Sequence, residues 1–233
     1  MLFRSERDLW FHVDGAYGAP AAAVPAERER FRGMERADSL AIDAHKWLYA
    51  PVDCSALLVH DVTATARAFR GAAGEYVRVL DAQDDEAFAF WDHGLELSRR
   101  FRALKLWMTL RVYGARRLAE AIEHDITMAA HLAALVRDSE DFELLTAPSL
   151  SVCTFRHVPA GMPEGELDGH NQRLLGAAQR DGRVYVSNAG IRGRFALRAC
   201  ITNFRTTTAD IERTIEVLRE VGARVTAGGV NVA

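Results

Sequence analysis

The chain is predicted to be α/β in its first half and α+β in its second, on three observations. Short apolar runs at residues 9–14, 38–43 and 54–60 are separated by stretches that suit crossovers, as in a mostly parallel sheet with helices. The first run closes on Asp14 and then Gly15 and Ala16, which reads as a buried strand delivering a side chain at its carboxyl end, where α/β sheets bind ligands. Beyond residue 119, shorter apolar runs alternate with helical periodicity. We therefore divide the chain into residues 1–118 and 119–233.

Each element follows from its own residues. Leu9 to Phe11 and Val13 give the first strand, 26–33 a short polar helix or loop, and 38–43 a second strand that runs into His45 and Lys46. CSALLVH (54–60) is a third strand. Residues 61–95 have few periodic signals and carry Asp81, Asp84, Asp85 and Glu86, a loop composition. Ser98 is positioned to cap a helix with Phe101, Leu104, Trp107, Met108 and Val112 on one stripe and Gly114 just past its end. A second helix over 115–137 repeats Leu118, Ile122, Ile126, Ala129, Ala133 and Val136. Strands near 142–146, 150–156, 183–187 and 194–201 then flank a helix near 165–180, and a last helix runs from about 208 to 221. Thr207 or Thr208 would cap it, Gly222 would end it, and TAGGVNVA would be a frayed tail.

Composition narrows the class. With 233 residues, 49% of them hydrophobic, the chain can bury a sizeable core. A net charge of −3 and a pI near 6.2 give no basic field, so nucleic acid is not an expected partner. No window approaches the roughly 20 uninterrupted apolar residues of a membrane span, and the first residues lack a signal-peptide core. Cys54, Cys153 and Cys200 are widely spaced among apolar neighbours, which suits reduced thiols in a cytoplasmic protein.

The chemistry concentrates on Asp14 and Lys46, whose separation suits one strand, a crossover and the next strand, so that both converge on one crevice. A lysine amine can hold an aldehyde cofactor as a Schiff base, and a carboxylate against a pyridine nitrogen keeps that ring cationic; these are the two poles of a pyridoxal 5'-phosphate (PLP) site. A metal reading also exists, because His12 and Asp14 alternate onto one face, as do Asp43 and His45, but it has no distinctive ligand spacing and leaves Lys46 unexplained. Arg99, Arg100, Arg102, Lys105 and Arg111 read mainly as a solvated helix face, with one arginine a candidate for phosphate.

FHVDGAYGAPAA (11–22), ADSLAIDAHKWL (37–48) and ELSRRFRALKLWMTLRVYG (96–114) together resemble the group II PLP-dependent decarboxylases, the aromatic-L-amino-acid decarboxylase family, and GRFALRACITNFRTT (193–207) continues the likeness weakly. The resemblance implies a fold-type I large domain, of which residues 1–118 are the C-terminal half, followed by a small α+β domain. It implies PLP as cofactor, no metal, and an amino-acid substrate, aromatic by preference. It also implies a homodimer with its sites at the subunit interface. By that likeness Lys46 anchors the cofactor, Asp14 faces its ring nitrogen, His45 contacts phosphate, and Gly15 and Ala16 let the flat ring approach the backbone. Asp43 stands where many relatives have a phosphate-binding asparagine.

The same resemblance marks departures. Relatives carry a long portion before the aspartate that supplies the histidine stacked on the ring, a phosphate-cradling turn and most of the substrate pocket, so this chain is expected to be a truncated form. In the mobile catalytic loop, a gapless reading puts Phe90 where decarboxylases have a proton-donating tyrosine, and His93 is the alternative donor. Phenylalanine there goes with oxidative deamination to an aldehyde in plant relatives. The rivals to a decarboxylase are therefore an aldehyde-forming deaminase, another fold-type I enzyme such as an aminotransferase, and a non-catalytic remnant or interaction module.

Overall fold

A computed structural model describes Phe3 and residues 6–69 and 88–228 of the chain. It divides into two compact units, Met1–Leu118 and Ala119–Ala233.

The first unit is built on a three-stranded sheet, β1 (His12–Asp14), β2 (Ser39–Asp43) and β3 (Ser55–Val59), in the order β1-β2-β3. β1 and β2 are parallel, whereas β2 and β3 are antiparallel. The mostly parallel sheet expected from the apolar runs is thus corrected to a mixed one. The reason is chain length. Residues 44–54 hold one helical turn, α1 (Ala44–Trp47), and a loop, whereas a parallel return needs about a dozen residues or more. Residues 15–38 do afford a crossover between β1 and β2, made of 3-10 turns at Ala19–Ala23, Arg28–Phe31 and Met34–Arg36.

Within the stretch read as loop, Val62–Phe69 form a helix, α2. Asp61 caps it, its Oδ1 accepting from the Thr63 amide at 2.9 Å and the Thr63 hydroxyl at 2.7 Å. Asp81, Asp84, Asp85 and Glu86 lie outside the described residues, as do 229–233 of the tail. The long helix α3 (Arg102–Arg137) starts after Arg100 and Phe101, so Ser98 is not its cap, and it breaks at Gly114, whose φ of 75° and ψ of 158° are open to glycine but not to residues with a Cβ. Before the break, the stripe of Phe101, Leu104, Trp107, Met108 and Val112 is exposed rather than buried; after it, Ile122, Ala129, Ala133 and Val136 are fully buried.

The second unit pairs β4 (Phe142–Leu144), β5 (Val152–His157), β7 (Arg194–Cys200) and β6 (Ser187–Ile191) in the order β4-β5-β7-β6, all antiparallel. Helices α4 (Glu164–Asp181) and α5 (Thr208–Thr226) pack with residues 128–136 of α3 over Phe155, Leu174, Leu197 and Leu218. Strand β6 falls four residues later than expected, because a two-residue turn at Arg192 and Gly193, with φ of 50° and 80°, pairs Ile191 with Arg194 and fixes the register. Thr207 caps α5 in a reciprocal capping box with Asp210. Gly222 does not end that helix. It sits inside, where an added Cβ would lie 2.6 Å from the His157 ring.

Candidate active site

Asp14 ends β1 and Asp43 ends β2, and because these strands run parallel, both carboxyl ends open on the same edge of the sheet. Lys46 follows in α1, one turn beyond that edge. The pairing continues past the strands, with the Asp43 amide donating to the Ala16 carbonyl at 3.0 Å, so the loops carrying Asp14 and Lys46 are stitched together. Asp14 is exposed, and its Oδ1 accepts from the Ala16 amide at 3.1 Å.

Gly15 has a packing job in the fold. It is buried, and a Cβ there would lie 2.5 Å from Ala19 Cβ and 2.7 Å from Leu40 Cδ1, so its missing side chain makes room for these neighbours. Under the site, Trp47 is fully buried and stacks on Tyr17 with centroids 4.7 Å apart. That anchor fixes α1 by burying a large aromatic surface.

His45 is held by the loop that follows it. Its Nδ1 lies 2.9 Å from the Cys54 carbonyl and 3.2 Å from the Cys54 amide, and one tautomer serves only one of these bonds. A ligand would meet the opposite nitrogen, Nε2. Asp43 Oδ2 lies 2.8 Å from Lys46 Nζ, and its Oδ1 accepts from the Ser55 hydroxyl at 2.5 Å. Lys46, then Ser55, hold the Asp43 carboxyl below the usual carboxylate range.

The basic residues of 99–105 are committed to local partners. Asp53 accepts from Arg100 at 2.8 Å and from Arg102 at 2.9 Å, and Arg102 also pairs with Glu96 at 2.7 Å. Lys105 donates to the Val52 and Asp53 carbonyls. Arg99 donates to the Phe90 carbonyl and lies over the Phe90 ring. Phe90 itself is exposed, edge-on to Phe88, and shares a cavity of about 590 Å³ with Ser55, Arg99, Arg102 and Trp107. His93 stacks on Phe88 at 4.3 Å and bonds Thr65 through Nδ1 at 2.7 Å. Its described contacts are with α2 and Phe88 rather than with Lys46.

Reading the sequence missed Ser55 and Asp53. Ser55 becomes visible only when β3 is known to run antiparallel, opposite Asp43. A second missed signal was in plain view. Lys46 and Lys105 are the only lysines in the chain, the rest of its 29 basic residues being arginine. Arginine supplies charge but never a neutral nitrogen nucleophile, so the amine at position 46 offers chemistry that the arginines cannot. The donor set fits PLP: an exposed amine, a carboxylate on the same sheet edge, and an imidazole nitrogen beside the amine. Among the described residues, no three His, Cys, Asp or Glu side chains cluster as a metal site, and no helix is long and apolar enough to cross a membrane.

Comparison with known proteins defines the class. Residues 3–158 match the pyridoxal-dependent decarboxylase conserved domain, and the chain belongs to that family, which uses PLP. It is 32% identical over 220 residues to an aromatic-L-amino-acid decarboxylase of Bacillus atrophaeus, covering 94% of this chain and 45% of that protein. It is equally 32% identical over 212 residues to a phenylacetaldehyde synthase of Arabidopsis thaliana, covering 91% of this chain and 43% of that one. The structure of Oryza sativa TDC with PLP and tryptamine superposes with a TM-score of 0.84 at 29% identity, over 95% of this chain and 46% of the other. The chain thus spans less than half the length of the relatives it matches.

Proposed function

We propose that this chain is the Lys46-bearing portion of a PLP-dependent amino-acid decarboxylase, with residues 1–118 forming part of the cofactor-binding domain and 119–233 the small domain. The observation that carries the reading is the placement of Asp14 and Lys46 at the carboxyl edge of one parallel strand pair. Lys46 is the covalent anchor. Asp14, whose Oδ1 is taken by the Ala16 amide, presents Oδ2 to hold a proton on the pyridine nitrogen. His45 Nε2 and the Ala16 backbone complete the contacts. When bound, PLP supplies the electron sink for the charge left on an amino acid's α-carbon as carbon dioxide departs. The substrate is an aromatic amino acid, a reading supported by relatives that carry that substrate class in their names, and the working form is a homodimer.

Phe90 favours a second reading. It offers no hydroxyl to return a proton, and the equal identity, 32%, to a decarboxylase and to an aldehyde synthase leaves oxidative deamination as the competing outcome. His93 is the alternative proton donor if amine is the product. Product analysis separates them: amine and carbon dioxide without peroxide support decarboxylation, aldehyde and peroxide support the deaminase, and a keto acid supports an aminotransferase.

The primary test is an absorbance titration of the folded chain with PLP. A near-visible band that disappears in Lys46→Ala supports the anchor assignment, since covalent capture is the earliest step required. Folded protein with no such band supports the rival, a chain that carries the signature without the chemistry.

A further inference from the structure

Asp43 and Ser55 face each other across the β2–β3 pair, at the last residue of one strand and the first of the other. That register puts the Ser55 hydroxyl on Oδ1, and Lys46, three residues on in α1, pairs its amine with Oδ2, so each oxygen of the Asp43 carboxylate has its own partner. The Asp43 side chain is 22% exposed and the Lys46 side chain 45%, so the carboxylate is the more enclosed member and the amine the more accessible one. A carboxylate already oriented by a hydroxyl loses less freedom on pairing than two free side chains would.

We infer that Asp43, oriented by Ser55, is a positioning residue that holds the Lys46 amine in an ion pair and thereby sets how readily that amine attacks an aldehyde; the inference rests on Lys46 being the covalent anchor. Attack requires the neutral amine. The ammonium gives one proton to solvent, the nitrogen lone pair bonds the carbonyl carbon, and the carbonyl oxygen leaves as water with the two protons remaining on nitrogen. Asp43, like any ordinary carboxyl, is ionised at neutral pH, and Lys46 and Ser55 hold it lower still, so it acts as an ion-pair partner and not as the base. Capture of an aldehyde therefore competes with Asp43.

Having two lysines makes the test clean. Reductive methylation of the whole chain with formaldehyde and cyanoborohydride, followed by peptide mass measurement, reports Lys46 and Lys105 separately, with Lys105, anchored on the Val52 and Asp53 carbonyls and 3.6 Å from the Asp53 carboxylate, as internal reference at fixed salt. Asp43→Asn is expected to raise the Lys46 rate relative to Lys105 by roughly two- to five-fold at low salt, the range of a partly exposed ion pair. Ser55→Ala gives a smaller rise in the same direction, and salt speeds Lys46 in the unmodified chain more than in Asp43→Asn until the two Lys46 rates converge. An unchanged ratio in Asp43→Asn, or a rise that salt does not diminish, overturns the inference. If Asp43→Asn perturbs Lys105 as well, Ser55→Ala and the salt response of the unmodified chain decide it. Formaldehyde needs no cofactor site, so a missing PLP band would overturn the proposed function while leaving these rates to be read.

Discussion

The two units spend their apolar residues differently. In Ala119–Ala233, Phe155, Leu174, Leu197, Val217 and Leu218 are fully buried in one continuous core between an antiparallel sheet and its helices. In Met1–Leu118, the described core under the site is small, with Ala44, Ala50 and Cys54 backed by Leu48 and Leu106, beside the buried Trp47. Among the described residues, all the large exposed apolar side chains except Tyr185 and Phe204 lie in this unit. Among the described residues, the larger buried apolar cluster lies in the unit without the candidate chemistry. Buried apolar area is what holds a fold, whereas a reactive amine has to stay accessible.

The sharpest way to break that contrast is a pair of truncations. Phe155→Ala removes a fully buried ring from the centre of β5 and is expected to cost about 3–5 kcal/mol, while Leu57→Ala, on the exposed strand β3, should cost close to nothing; urea denaturation compares them. Similar losses at both positions would remove the distinction.

Acid should act on the second unit next. His157 Nδ1 and His170 Nε2 are 2.8 Å apart in the core, so one ring donates and the other accepts, and the pair has no room for a proton on both. Burial, then His157 and Arg173, push His170 down to about 4; burial also lowers His157, against the pull of Asp141 and with Arg219 adding to the effect. The unfolded chain takes up protons near the ordinary 6.5 and the folded chain does not, so stability rises with pH across this window. It is complete above about 6.5, and about 2–3 kcal/mol is lost as pH falls to about 4. Thermal melts of the chain and of His170→Gln over that range measure it, and an identical slope in both would refute the assignment.

Gly15→Ala tests the packing of the first unit. The added methyl meets Ala19 and Leu40 and should cost about 1–3 kcal/mol in denaturant unfolding. A neutral outcome would mean that the turn after β1 adapts. The smallest effect is expected from Thr207→Ala, which removes the α5 capping box for about 1 kcal/mol in the same assay.

Much of this was legible in order along the chain. Residues 38–43 and 54–60 announced β2 and β3 because apolar runs bounded by small or polar residues have few other uses, and the burial of Ile122, Ala129, Ala133 and Val136 follows from their helical spacing. The exposed stripe from Phe101 to Val112 has the same kind of spacing and the opposite fate, since periodicity states that a face is apolar and not what covers it.

The sequence by itself determined which residue types the site can use: an amine at Lys46 in a chain that otherwise prefers arginine, a carboxylate at a strand end, and motifs that place the chain in its family. Only the tertiary structure decided their partners. Strand direction is set by the length and path of the connection and by pairing across the sheet, which no single run of residues encodes. The antiparallel return of β3 brought Ser55 to Asp43, whereas Lys46 reaches Asp43 from only three residues away. The close approach of Ala19 and Leu40 made Gly15 a packing residue. The contacts of Ser55 with Asp43 and of Leu40 with Gly15 join residues 12 and 25 positions apart, so they exist only once the backbone has folded.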